Sequence, residues 1–124
     1  MLKRVGFAAA FVVLAEALSS GVALAADNYG AIATSASTNH WGLTYDYPTQ
    51  EEAESAALAQ CKQNADDCEG RIWFKNGCGA VAHGENLFGW AIGDSREEAE
   101  TGAKSALKEH GDSGNIVAWA CTTR

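Results

Sequence analysis

Beyond residue 28 the apolar positions come in short runs of small residues broken by polar turns. Gly30-Ala31-Ile32-Ala33 is followed by a polar stretch, Ser35 to His40, and by a second apolar run around Trp41–Tyr45. The succession returns as Gly79-Ala80-Val81-Ala82, a turn His83-Gly84-Glu85-Asn86, and a run around Phe88–Ile92. Paired apolar runs of strand length about a short turn predict a β-hairpin in each place. Behind each hairpin stands a capping box, Thr49-x-x-Glu52 and Ser95-x-x-Glu98, whose hydroxyl and carboxylate satisfy orphan N–H groups at a helix start. The spacing then turns helical: Ala53, Ala56, Ala57 and Cys61 share one face, as do Ala99, Gly102, Ala103, Ala106 and Leu107. Faces built of such small residues let a helix lie close to a sheet. The helices should end near Asn64 and near His110-Gly111, where glycine takes the left-handed cap conformation. A closing strand follows each, Arg71 to Lys75 and Asn115 to Cys121.

The pattern is a duplication. Gly30–Ala33 maps on Gly79–Ala82, and Trp41 on Trp90, at a displacement of 49 residues. Thr49 maps on Ser95, Glu52–Glu54 on Glu98–Glu100, and Trp73 on Trp119, at a displacement of 46. One three-residue length change between tryptophan and helix reconciles the two values. The predicted fold is α+β: an internally duplicated ββαβ unit, with a largely antiparallel sheet and two helices packed on it. The repeats cover about 28–78 and 79–121, within a single domain of residues 26–124.

The first 25 residues follow other rules. Lys3 and Arg4 precede an apolar run, Val5 to Leu18, and Ala23-Leu24-Ala25 is a small-x-small cleavage site. This is the grammar of a secretory signal peptide, too short and too interrupted by Glu16 for a membrane span. The expectation is an exported product, periplasmic or extracellular, with no transmembrane segment in the mature chain. Cleavage removes Lys3, Arg4 and Glu16, so the formal net charge moves from -7 to -8. An acidic domain without a basic patch is a poor nucleic-acid binder, because phosphate contacts need clustered Lys and Arg.

All four cysteines, Cys61, Cys68, Cys78 and Cys121, lie in the mature part, and an even count in a small exported domain reads as a disulfide framework. At the 46-residue displacement Cys61 maps on Leu107 and Cys68 on Gly114. The second unit lacks both together, as expected if Cys61 bonds to Cys68; Cys78 is then left to bond to Cys121. A thiol nucleophile is the competing use of Cys78. His83 stands five residues away, and along an extended strand that is roughly 16 Å on the opposite face. A dyad needs hydrogen-bond reach, so the staple is the expectation. No CxxC or HxH spacing supports a metal, and no phosphate loop, HExxH or serine triad calls for a cofactor or a known chemistry.

The remaining candidates are surface chemistry. Trp73 and Trp119, on the closing strands, are expected in the core. Trp41 and Trp90 follow loops; burial is expected for them too, yet they also stand where a partner or a sugar ring would stack. The acidic helix starts, Glu51, Glu52 and Glu54 with Glu97, Glu98 and Glu100, suit the helix dipole better than a paired acid/base site. Asp66, Asp67 and Glu69 lack the alternation of a calcium loop and are expected to be solvated. His110 suits the negative end of its helix. The preferred function is a non-enzymatic protein-binding module with an unknown protein partner: an envelope accessory, an inhibitor or immunity-like protein, or a secreted effector. Its contact surface would be the two hairpin tips, with His40, Trp41, His83, Glu85 and Trp90. The alternatives are an envelope-glycan binder and a thiol or carboxylate hydrolase.

The chain also resembles the small secreted bacterial family known as domain of unknown function 4189. The likeness lies in YGAIA (29–33), EEAESAALAQC (51–61), IWFKNGCGAVA (72–82), FGWAIGDSREEAE (88–100) and VAWAC (117–121), and covers essentially the whole mature chain. It implies an exported protein of duplicated architecture, with no catalytic residues to carry over. Family members often bear a helix-to-strand cysteine pair in the second unit as well; Leu107 and Gly114 replace it here.

Overall fold

Thr49 and Ser95 begin the two helices as predicted, their hydroxyls accepting from the amides of Glu52 (3.1 Å) and Glu98 (3.2 Å), while the Glu98 carboxylate accepts from the amide of Asp94 (2.9 Å), one residue before the cap. The computed structural model describes residues 28–122, and the expected signal peptide lies outside the described residues. The chain forms β1 (Tyr29–Ser35), β2 (Trp41–Tyr47), α1 (Gln50–Lys62) and β3 (Cys68–Lys75), then β4 (Cys78–His83), β5 (Phe88–Gly93), α2 (Arg96–Glu109) and β6 (Asn115–Cys121). This is the ββαβ unit twice. Among the described residues no helix is long and apolar enough to cross a membrane.

The six antiparallel strands divide into two three-stranded sheets, ordered β2-β1-β3 and β5-β4-β6. In each unit the GAIA or GAVA strand is central. The sheets face one another, β2 against β6, β1 against β4 and β3 against β5, and each helix covers the outer face of its own sheet. Alternation along the central strands serves both sides. Ala31 and Ala33 pack under α1 with Ala53, Ala57 and Cys61, while Ala80 and Ala82 pack under α2 with Ala99, Ala103 and Leu107. Ile32 and Val81 point the other way and meet Phe74 between the sheets, with Leu43, Ile72, Phe88 and Trp90 around them. Phe74 fits because both neighbours are glycine. A Cβ on Gly30 would stand 2.3 Å from its Cζ, and one on Gly79 would stand 2.6 Å from its Cε1. Ala120 holds the equivalent place in the second unit, so a single ring fills the centre.

Strand pairing corrects the repeat alignment. Trp41 pairs with Thr34 and Leu43 with Ile32, whereas Phe88 pairs with His83 and Trp90 with Val81. Trp90 therefore corresponds to Leu43, and Trp41 to Phe88. The glycine between them agrees: a Cβ on Gly42 would lie 2.0 Å from the Ala57 carbonyl oxygen, and one on Gly89 would lie 2.2 Å from that of Ala103. The length difference arises in two places. The first hairpin loop is two residues longer, and a bulge opposite Gly30, where Asp46 has φ 60°, absorbs the third. The bulge between Ile32 and Ala33 on the β3 side recurs between Val81 and Ala82, so the displacement of 46 holds for the closing strands.

Trp73 and Trp119 are not in the core: they are 41 % and 42 % exposed. They pair with Ala31 and Ala80 and so lie on the helix side of their sheets. The glycines draw each helix onto β2 or β5, and the outer face of the closing edge strand is left beside the helix instead of beneath it. The cysteines are all bonded, Cys61 to Cys68 (Cα–Cα 6.0 Å) and Cys78 to Cys121 (3.9 Å). The first bridge joins the end of α1 to the start of β3, and the second joins opposite residues of β4 and β6.

Candidate binding site at the hairpin tips

Because β1 and β4 stack in the middle of the two sheets, both hairpins turn at the same end of the molecule. Their tips line a shared polar cavity of about 350 Å³, walled by Ser37, Thr38 and Asn39 from one loop and His83, Glu85 and Asn86 from the other.

Each tip is held by an aspartate from the helix-to-strand loop of its own unit. In the first, the Ser35 amide donates to the His40 carbonyl (3.0 Å) and closes the loop. The Ser35 hydroxyl accepts from the Thr38 amide (3.1 Å) and hydroxyl (2.8 Å), and itself donates to Asp67 Oδ1 (2.5 Å). In the second, Gly84 N donates to the Leu87 carbonyl (2.9 Å), and the Asp112 carboxylate accepts from the amides of Glu85, Asn86 and Leu87, each at 3.1 Å, and of Ser113 at 2.7 Å. Hydrogen bonds to the anion favour it. The Ser35 hydroxyl, then that of Ser37, holds the Asp67 carboxyl below the ordinary aspartate range; the Asn86 and Glu85 amides do the same for Asp112.

Of the residues expected at the site, His83 and Glu85 line the cavity. His40 closes the first loop through its backbone, and Trp41 stands at the loop's base opposite Thr34. Trp90 is elsewhere: it packs between the sheets with the Arg71 guanidinium 5.0 Å over its ring, held by Thr34 Oγ1 (2.8 Å) and Glu69 (2.9 Å). His83 stacks on Phe88 at 4.5 Å. Cys78 sits at the far end of β4 from His83, its sulfur bonded to Cys121, so the pair forms no dyad. His110 caps its helix as expected, Nδ1 lying 3.0 Å from the Ala106 carbonyl. Among the described residues no group of three His, Cys, Asp or Glu could hold a metal ion.

The sequence reading missed Asp112 and misjudged Asp67, which is an anchor and not a free loop carboxylate. A partial signal was present: an aspartate stands just past each helix, Asp112 corresponding to Asp66, beside the anchor Asp67, at the 46-residue displacement. What the cavity offers is hydroxyl, amide, imidazole and carboxylate groups on two pinned loops, a surface suited to hydrogen bonding with a partner.

Known proteins place the chain in context. The family model described as "Domain of unknown function (DUF4189)" matches residues 29–121. Protein Rv1269c of Mycobacterium tuberculosis and Protein Mb1300c of Mycobacterium bovis are each 39 % identical over 97 residues, 78 % of this chain and 72 % of theirs. The NMR structure of Rv1813c from Mycobacterium tuberculosis superposes with a TM-score of 0.57 at 30 % identity, covering 77 % of this chain and 75 % of that one.

Proposed function

The chain belongs to the DUF4189 family, and on that footing we propose that it is an exported, disulfide-bonded domain that binds another protein through its paired hairpin tips, without chemistry of its own. The observation that carries this reading is the double anchoring of the tips: two loops from separate repeats, each tied down by an aspartate, present polar groups around one cavity. Loops fixed in advance lose little conformational entropy on docking, which is where affinity is commonly lost. Export is supported by the positive, apolar and Ala-Leu-Ala segments at residues 3–25 and by two disulfides, which persist in oxidising compartments.

The test is capture by the exported chain from envelope and culture-medium fractions, followed by titration of the purified partner. A Glu85→Ala/Asn86→Ala variant should bind it at least about tenfold more weakly, a loss of about 1.4 kcal/mol. Equal binding by wild type and variant, or saturable binding of cell-wall fragments alone, would remove the proposal.

A further inference from the structure

The duplication supplies an internal template for a second site, on a different face from the hairpin tips. In the second unit the Arg96 guanidinium lies 4.0 Å over the Trp119 ring, and its Nε donates to Glu100 at 2.9 Å. The equivalents 46 residues earlier are Gln50, Trp73 and Glu54. The ring and the carboxylate are kept, and the cation is replaced by a neutral amide whose Nε2 lies 3.4 Å from Glu54. Trp73 touches Tyr29 (6.1 Å between centroids), and among the described residues no Lys or Arg stacks on it.

The space is open as well. A groove of about 420 Å³ runs between α1 and β3, walled by Trp73, Ile72, Leu58, Ser55, Glu54 and Glu51. Gly70 borders it, with nothing within 4 Å of a Cβ built there, where the second unit has Ile116; Leu58 stands where the second unit has Lys104. The first unit thus lacks the stacked cation, and it also lacks the isoleucine and the lysine that stand at these two places in its counterpart. Arg71 borders the groove too, but its guanidinium is held by Thr34 and Glu69 and stacks on Trp90.

We propose that this groove receives the guanidinium of a partner protein's arginine, stacked on Trp73 and paired with Glu54, in the arrangement that Arg96 makes internally with Trp119 and Glu100. Arginine fits better than lysine because a planar guanidinium stacks on an indole while its edge donates to a carboxylate. Glu51 adds negative charge at the mouth.

The probe is N-acetyl-arginine methylamide, titrated into the oxidised protein and followed by two-dimensional NMR. The Trp73 indole N–H and the amides of residues 51–58 should shift, with a dissociation constant on the order of 1 mM. The neutral citrulline analogue should bind about five- to tenfold more weakly, since the cation–aromatic and ionic contacts are lost. Gln50→Arg restores the occupant found in the second unit and should abolish the Trp73 shift while leaving thermal unfolding unchanged. The Glu85→Ala/Asn86→Ala tip variant should bind the probe like wild type, so failure of the tip proposal and failure of this one are distinguishable. Equal binding of the citrulline analogue, undiminished binding by Gln50→Arg, or a response to a neutral chitin oligosaccharide but not to arginine would each overturn the assignment.

Discussion

Replacing Gly42 by alanine tests the close approach that sets the layout of each unit. The new Cβ would lie 2.0 Å from the Ala57 carbonyl oxygen, 2.9 Å from its carbon and 3.0 Å from Gln60 Cβ. Relief requires α1 to retreat from β2 by about 1.5 Å, since ordinary contacts to carbon begin near 3.5 Å. The helix is not free to retreat. Ala53, Ala57 and Cys61 are fully buried beneath it. Gln60 Oε1 accepts from the Leu43 amide and the Thr44 hydroxyl donates to the Ala53 carbonyl, both at 2.9 Å. Overpacking of a close-packed interior costs about 1–3 kcal/mol, and straining these two hydrogen bonds adds to it. Taking about 3 kcal/mol in all, a domain of this size should lose about 12–24 °C in Tm. Gly89→Ala should behave alike, its Cβ standing 2.2 Å from the Ala103 carbonyl oxygen. Gly70→Ala is the control: with open space around it, it should gain about 0.4–1 kcal/mol by restricting the unfolded chain. The assay is thermal and urea unfolding by circular dichroism, with both disulfides verified by mass spectrometry. A Gly42→Ala protein melting within about 2 °C of wild type would refute the reasoning, because overpacking of about 1 kcal/mol alone moves a small domain further.

Three further outcomes are expected. A non-reducing peptide map should show Cys61–Cys68 and Cys78–Cys121; with 7 and 43 residues of separation, removing each as a double alanine variant should cost about 2.5 and about 4 kcal/mol in urea unfolding. Phe74→Ala empties the space between two glycines, which carry no side chain to fill it, and should cost about 3–5 kcal/mol. Asp67 and Asp112 titrate below the ordinary 3.8, so as pH falls the unfolded chain takes up their protons first. Their contribution is complete above about pH 5 and is lost as pH drops through the lowered folded values. Hydrogen exchange at Glu85, Asn86 and Leu87 should then quicken relative to the sheet amides, and Asp112→Ala should produce that quickening at neutral pH; unchanged protection in the variant would show that the carboxylate does not hold the loop.

The sequence by itself determined what is local or counted. The capping hydroxyls at Thr49 and Ser95, the small-residue helix faces, the two hairpins and the duplication are all written within a few residues of where they act. The joint absence of Cys61 and Cys68 from the second unit named the bridge by parity alone. Tertiary structure decided whatever depends on which faces meet. Trp41 and Trp90 look like repeat partners in the one-dimensional alignment, but only strand pairing shows that a longer loop and a bulge at Asp46 have moved the register. Trp73 and Trp119 have the composition of core residues. They stay partly exposed because Gly42 and Gly89 seat each helix over its hairpin, so that these positions of the edge strand lie beside the helix instead of beneath it. Phe74 marks where the two sheets meet, its ring lying against a glycine of each repeat, a match visible only once both strands are in place. Contacts between residues more than forty positions apart leave no periodicity in the chain, and it is such contacts that bring the two hairpin tips together around one cavity.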